Sequence, residues 1–328
     1  MIEFWTGALA LTIFLYVTLD GFDLGVGMLM PFVKDSRQRQ SMLSAIAPVW
    51  DGNETWLVLS GTILFGMFPL TYATLLSAFY LPLIFMLGAL IFRGVSFEYR
   101  LTATWSLPVW DRGFVIGSYL TTFIQGVAVG ALVHGLPMDG ERYVGGAFGW
   151  ASPFSFACGV GLCIGYALMG AGWLTYKTEA LVRDFAFKVM PPLLVALLLF
   201  LGVVFAFALV QHLAVMKRWL ETPLLFCFPV LGVVACAIMT WAIRARHALV
   251  PFFGAVLLFG AAMGTLSVSF YPYMIPFAIT TEQAAAPASA LSFLFWGAGL
   301  VILPLTLVYT SVVYFFFKGK VAIDEQGY

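Results

Sequence analysis

Apolar residues in this chain fall into long uninterrupted blocks, each followed by a short polar connection. A bilayer hydrocarbon core about 30 Å thick needs about 20 apolar residues in helix. By that rule the pattern predicts nine membrane-spanning helices, at roughly 4–29, 45–66, 71–92, 113–134, 151–173, 189–211, 223–243, 248–270 and 290–317. The second is the most polar, because Asp51 and Glu54 interrupt its first half. The eighth ends in a kinked, proline-containing stretch from Tyr271 to Pro276. The blocks are continuous rather than alternating at every second residue, which excludes a transmembrane β-barrel. No connection is long enough to hold a soluble domain, so residues 1–328 read as a single integral membrane domain of all-α class. The N-terminal MIEFWTGALALTIFLYV has no basic leader and stays apolar beyond the core of a signal peptide, so it reads as a retained span.

Composition sharpens this picture. Hydrophobic residues make up 62% of the chain and charged residues only 10%, against about 25% charged in a soluble domain. The mean hydropathy is +0.98. Sixteen Lys and Arg balance 16 Asp and Glu, which leaves no basic surface for nucleic acid; the partner that composition implies is the lipid bilayer. The four cysteines, Cys158, Cys163, Cys227 and Cys236, all lie in apolar stretches without a CxxC pair, so neither a disulfide framework nor a metal motif is present.

Where the positive charges fall predicts orientation. Lys34, Arg37, Arg39, Arg93, Arg100, Arg112, Lys177, Arg183, Lys188, Arg244, Arg246, Lys318 and Lys320 follow odd-numbered spans, and only Arg142, Lys217 and Arg218 follow even-numbered ones. Thirteen against three places the N-terminus outside and the C-terminus in the cytoplasm. Glycines spaced for close helix approach occur at Gly21/Gly25, Gly126/Gly130 and Gly161/Gly165.

Charge within a bilayer is costly unless paired or hydrated, so intramembrane carboxyls mark candidate chemistry. Asp20 and Asp23 stand three residues apart near the cytoplasmic end of the first span and share a helix face. Asp51, Asn53 and Glu54 open the second span, and the two groups can face each other at similar depth. Four carboxyls at one level cannot all stay ionised cheaply, which suits a proton relay. The alternative is that they cap helix ends or pair with Arg93 or Arg100. The three histidines, His134, His212 and His247, each lie near a span end, so the chain is expected to ligate no heme and no metal. Trp5, Trp105, Trp110, Trp150 and Trp219 fit an interfacial belt. Trp50 and Trp56 flank the acidic residues, and Glu179 beside Lys177 reads as a surface ion pair. No phosphate-binding loop, dinucleotide fingerprint, HExxH or GxSxG is present. A proton-coupled secondary transporter is the second reading, although no pair of Gly/Pro-broken midplane helices supports it.

LDGFDLGVG (19–27) and APVWDGNETWL (47–57), with FRGVSFEYR (92–100), GYALMGAGWLTYKTE (165–179) and YPYMIPFAI (271–279), give the chain a specific resemblance. It resembles subunit II of cytochrome bd-type quinol oxidases across almost its whole length, and its length is similar to the shorter members, which include the cyanide-insensitive type. The resemblance implies two four-helix bundles plus one peripheral helix. It also implies a heterodimer with subunit I that oxidises quinol at the outer face and reduces dioxygen to water with cytoplasmic protons. Subunit I would carry two b-type hemes and heme d, or a third b-type heme in its place; a small single-span subunit is a further possible partner. The family's proton channel maps onto Asp23 and Asp51, with Asp20 and Glu54 beside them, although some members carry Gln at the Glu54 position. Trp50 matches a contact for a bound structural quinone.

Overall fold

The computed structural model describes residues 1–210, 219 and 223–321. His212, Lys217 and Arg218 lie outside the described residues. Helix α1 is Ile2–Leu29, α2 is Ser36–Ser44, α3 is Trp50–Met67, α4 is Pro69–Thr102, α5 is Leu107–His134 and α6 is Pro153–Lys177. They are followed by α7 (Ala180–Val210), α8 (Cys227–Arg244), α9 (Val250–Phe270), α10 (Thr281–Ala284), α11 (Ala288–Leu294) and α12 (Ile302–Phe316). A π-helical stretch, Phe295–Gly299, lies between α11 and α12. Among the described residues, eight helical stretches are long and apolar enough to cross a membrane. Helix α3 is not one of them, because its first turns carry Asp51, Asn53 and Glu54. The chain is therefore an all-α, polytopic membrane protein.

Local chemistry sets the helix ends. Ser152 caps α6 by accepting from Ser155 N, with Pro153 in the first turn, where its missing N–H costs nothing. Asp35 caps α2 by accepting from Arg37 N at 3.0 Å. Pro82 lies inside α4, and the backbone three residues earlier leaves helical geometry at Phe79. Two tight hairpins occupy connections: β1 (Met138–Asp139) with β2 (Arg142–Tyr143), and β3 (Tyr273–Ile275) with β4 (Ile279–Thr280). Gly140 turns the first hairpin with φ +57°. The second replaces the helix kink expected from YPYMIP with a short antiparallel pair.

Helix α1 is central, touching α3, α5, α6 and α9. On one side α4 packs on α5 and α3 on α4; on the other α6 packs on α7 and α9, and α8 on α7 and α9. In lipid there is little hydrophobic gain from helix contact, so small residues that permit close approach decide packing. A Cβ on Gly25 would stand 1.9 Å from the Tyr166 carbonyl oxygen, and one on Gly126 would stand 2.6 Å from the Cys158 carbonyl oxygen. Thus α6 meets α1 and α5 backbone to backbone. The third pair behaves differently: Gly161 and Gly165 receive the rings of Phe200 and Phe259.

One expectation is corrected here. Arg93 and Arg100, taken as loop residues beyond a span ending at 92, lie within α4 and are buried. Arg100 Nε is 2.5 Å from Asp111 Oδ1, and Arg39 Nη1 is 3.0 Å from Asp111 Oδ2. Arg100 also donates to Gln40. These bonds pin α2 to the facing ends of α4 and α5.

Candidate functional site

The central polar cluster begins on α1. Asp20 and Asp23 both point inward, with no exposed surface. Helix α3 runs antiparallel beside them and contributes two polar residues: Asn53 is buried, and the Glu54 side chain is 26% exposed. Helix α4 contributes Arg93, fully buried. Arg93 Nη1 lies 3.0 Å from Asp20 Oδ1 and 2.6 Å from Glu54 Oε1, bridging α1 and α3. The Arg93 guanidinium also lies over the Phe114 ring, 5.6 Å from its centroid.

Asp23 is held differently. Asn53 Nδ2 donates to Asp23 Oδ2 at 2.7 Å and to Leu19 O at 3.2 Å. Asn53 Oδ1 in turn accepts from the Tyr314 hydroxyl of α12 at 2.9 Å. No cation among the described residues forms an ion pair with Asp23. Asp20 Oδ2, Asp23 Oδ1 and Arg93 Nε and Nη2 are buried without a protein hydrogen-bond partner. A buried donor or acceptor in that state is expensive, so the cluster suits a guest that supplies hydrogen bonds, water or a proton foremost.

The polar line continues up α1 at one-turn spacing. Tyr16 sits beside Asp20, and its hydroxyl accepts from Gln125 Nε2 at 2.6 Å. Tyr166 donates to Gln125 Oε1 at 3.1 Å. A turn further on, Ser60 Oγ lies 3.0 Å from Thr12 Oγ1. Beyond that level Trp5, Leu9, Ile63 and Met67 close the helices with apolar side chains.

Of the residues singled out by sequence, Asp20, Asp23 and Glu54 come together. Asp51 does not join them. It is exposed on the first turn of α3, whose N-cap is Val49, so it caps nothing. Trp50 is half-buried, its ring 5.0 Å from Phe97 and against Gly94. Sequence reasoning gave Arg93 no place in the cluster beyond an alternative pairing partner, and missed Tyr314, Tyr16, Gln125 and Tyr166. The one-turn series 12, 16, 20 and 23 on α1 was the available signal for Tyr16 alone.

Among the described residues no three His, Cys, Asp or Glu converge as a metal site. His134 ends α5 against Phe154 and Phe207, and His247 packs on Trp241 in the α8–α9 connection. Among the described residues these two imidazoles lie apart, His134 at the end of α5 and His247 in the α8–α9 connection.

The sequence pattern of the family described as Cytochrome bd terminal oxidase subunit II matches residues 1–317. The chain belongs to that family. It is similar to a probable cytochrome oxidase subunit 2 of Haemophilus influenzae, 32% identical over 95% of this chain and 89% of the relative. It is also similar to the cytochrome bd-I ubiquinol oxidase subunit 2 of Escherichia coli K12, 29% identical over 94% of this chain and 92% of the relative. In fold it matches a chain of the bd oxidase from Geobacillus thermodenitrificans with a TM-score of 0.77, over 96% of this chain and 98% of that one at 16% identity. This subunit II is therefore part of a quinol oxidase complex, an oxidoreductase of the respiratory chain that works with a subunit I and with heme cofactors. Its apolar helices and bacterial relatives make it a multi-pass protein of the inner membrane.

Proposed function

We propose that this chain is the heme-free second subunit of the oxidase, that it stabilises subunit I, and that it lines a proton path from the cytoplasm. Asp23, Asp20 and Glu54 form the inner part of that path, and the exposed Asp51 forms its lateral mouth toward subunit I. The observation that carries the reading is the charge imbalance of the cluster: three carboxyls share one guanidinium in a buried site. With every group ionised the site would hold two uncompensated negative charges, which a low-dielectric interior does not tolerate. Asp20 and Glu54 take the Arg93 bonds. Asp23, bonded to a neutral amide, is the carboxyl that holds and passes the proton.

The electron donor is a quinol, as in the Escherichia coli relative named a ubiquinol oxidase, and it is oxidised at the outer face. Two b-type hemes and heme d, or a third b-type heme, are held by subunit I and would supply electron transfer and the reduction of dioxygen to water. A small single-span subunit completes the complex. A structural quinone would rest on the exposed part of Trp50, with Phe97 behind that ring. As one integral membrane domain, residues 1–328 cross nine times, α3 joining the eight apolar stretches. The neighbour pattern supports bundles of α1, α3, α4 and α5 and of α6 to α9, with α12 peripheral. Setting Arg93 and Arg100 aside leaves eleven positive residues against three, which still favours an outer N-terminus and a cytoplasmic C-terminus. Family membership does not favour the transporter alternative.

Asp23→Asn and Asp51→Asn, each in the purified complex, test the path. Asp23→Asn should lower quinol-dependent oxygen consumption by about two orders of magnitude, with heme content unchanged. Full heme content and unaltered turnover in both variants would refute the proton role.

A further inference from the structure

Helix α12 carries the Tyr314 hydroxyl into the site, but no residue of it is fully buried; Leu303, Val313 and Tyr314 pack half-buried against the core. Its C-terminal end is held further by α6. Lys177, the last residue of α6, is 4% exposed, and among the described residues no carboxylate pairs with it. Its ammonium donates instead to the carbonyls of Phe317 and Gly319, the latter at 2.6 Å. Free carbonyls at a helix C-terminus favour a cation. The ammonium also lies 5.7 Å and 6.0 Å from the Trp173 and Tyr176 ring centroids. Tyr176 donates to Lys318 O at 3.0 Å, and Val321 N donates to Lys177 O at 2.8 Å. Residues 317–321 are thus clasped on the end of α6.

Three residues before the clasp, Tyr314 donates to Asn53 Oδ1. That bond, together with the Leu19 carbonyl that accepts from Nδ2 at 3.2 Å, holds the Asn53 amide in place. With its oxygen engaged, its nitrogen faces Asp23; turned over, it would aim a carbonyl oxygen at the carboxyl. A slide of α12 by one residue rise, about 1.5 Å, would break a 2.9 Å contact. The aromatic packing follows the same line, for Trp173 stacks on Phe22 at 4.2 Å and Tyr314 lies 6.0 Å from Trp173.

We propose that Lys177 is a positioning residue for Asp23: by clasping the C-terminal end of α12 it sets Tyr314 on Asn53 and so fixes the donor that Asp23 receives. The proposal rests on the proton-path reading for its consequence in turnover, and on geometry alone for its effect on Asp23. It is tested in the intact complex with Lys177→Met, Lys177→Arg, Tyr314→Phe and Lys177→Met/Tyr314→Phe. The readouts are the infrared signature of the Asp23 carboxyl, identified by its loss in Asp23→Asn, and quinol-dependent turnover.

Lys177→Met and Tyr314→Phe should shift the Asp23 signature alike and lower turnover about fivefold, the equivalent of one hydrogen bond. The double variant should be no worse than either single, and Lys177→Arg should restore the native signature. An unshifted signature in assembled Lys177→Met, or losses that multiply in the double variant, overturns the proposal. If the Lys177→Met complex does not accumulate, Tyr176→Phe removes one clasp bond, and it should give the same shift at smaller amplitude; no shift there also overturns it. A shifted signature with unchanged turnover upholds the clasp and refutes the proton role of Asp23. Lost turnover in Asp23→Asn with an unshifted Lys177→Met signature does the reverse.

Discussion

A guanidinium with no exposed surface has to find its counter-charge inside the protein, and Arg93 finds it on two helices at once. Removing one partner of a buried ion pair strands the other charge, at a cost of about 3–5 kcal/mol. Arg93→Gln is therefore expected to lower the thermal midpoint and the yield of heme-containing complex. Adding Asp20→Asn should recover part of the loss, because the carboxylate that was stranded is then gone. Thermal unfolding of the three purified complexes checks this; a single variant as stable as the parent would mean that the cluster carries no ionised pair. The carboxyls themselves were legible in the sequence, since Asp20, Asp23 and Glu54 stand out against apolar neighbours. Arg93 was not. It follows directly on an apolar run, where a hydropathy window sees the same pattern for a residue reaching out to the headgroups and one turned inward to a carboxylate. Which occurs depends on a helix more than 30 residues away in the chain.

Single helices follow from apolar runs, whereas their partners follow from shape. The spacing of Gly21 and Gly25 signals a smooth face, but nothing in the spacing says that the face meets Tyr166 and Gly170 of α6. The same spacing at Gly161 and Gly165 instead makes room for two phenylalanine rings, so one motif serves two kinds of contact. This gives a paired prediction. Gly25→Ala places a methyl group against backbone that cannot yield, so the complex should lose about 1–3 kcal/mol or more. Gly7→Ala on the same helix meets nothing within 4 Å and should be neutral. Equal melting temperatures for the two variants would show that α1 and α6 are not locked together at Gly25.

For the molecule as a whole, the all-α, multi-pass character and the family were both legible, because continuous apolar runs and rare polar motifs survive without any knowledge of packing. The placement of Asp51 was not legible. Three-residue spacing puts Asp51 and Glu54 on neighbouring faces of α3, but the inward direction is set by Asn53 and Trp56, both buried, with Asn53 bonded to Leu19 of α1. Orientation is the remaining property of the whole molecule on which the proton reading depends. Asp23 lies six residues before the end of α1, about 9 Å along the axis at the usual helical rise. The connection holding Lys34 is thus the near side of the cluster, and the β1–β2 hairpin holding Arg142 follows the far end of α5. Both side chains are exposed. In intact cells a membrane-impermeant maleimide is expected to label Arg142→Cys directly and Lys34→Cys only after permeabilisation. The opposite pattern would bring Asp20, Asp23 and Glu54 close to the outer face and would remove the cytoplasmic proton supply, while leaving every distance in the cluster unchanged.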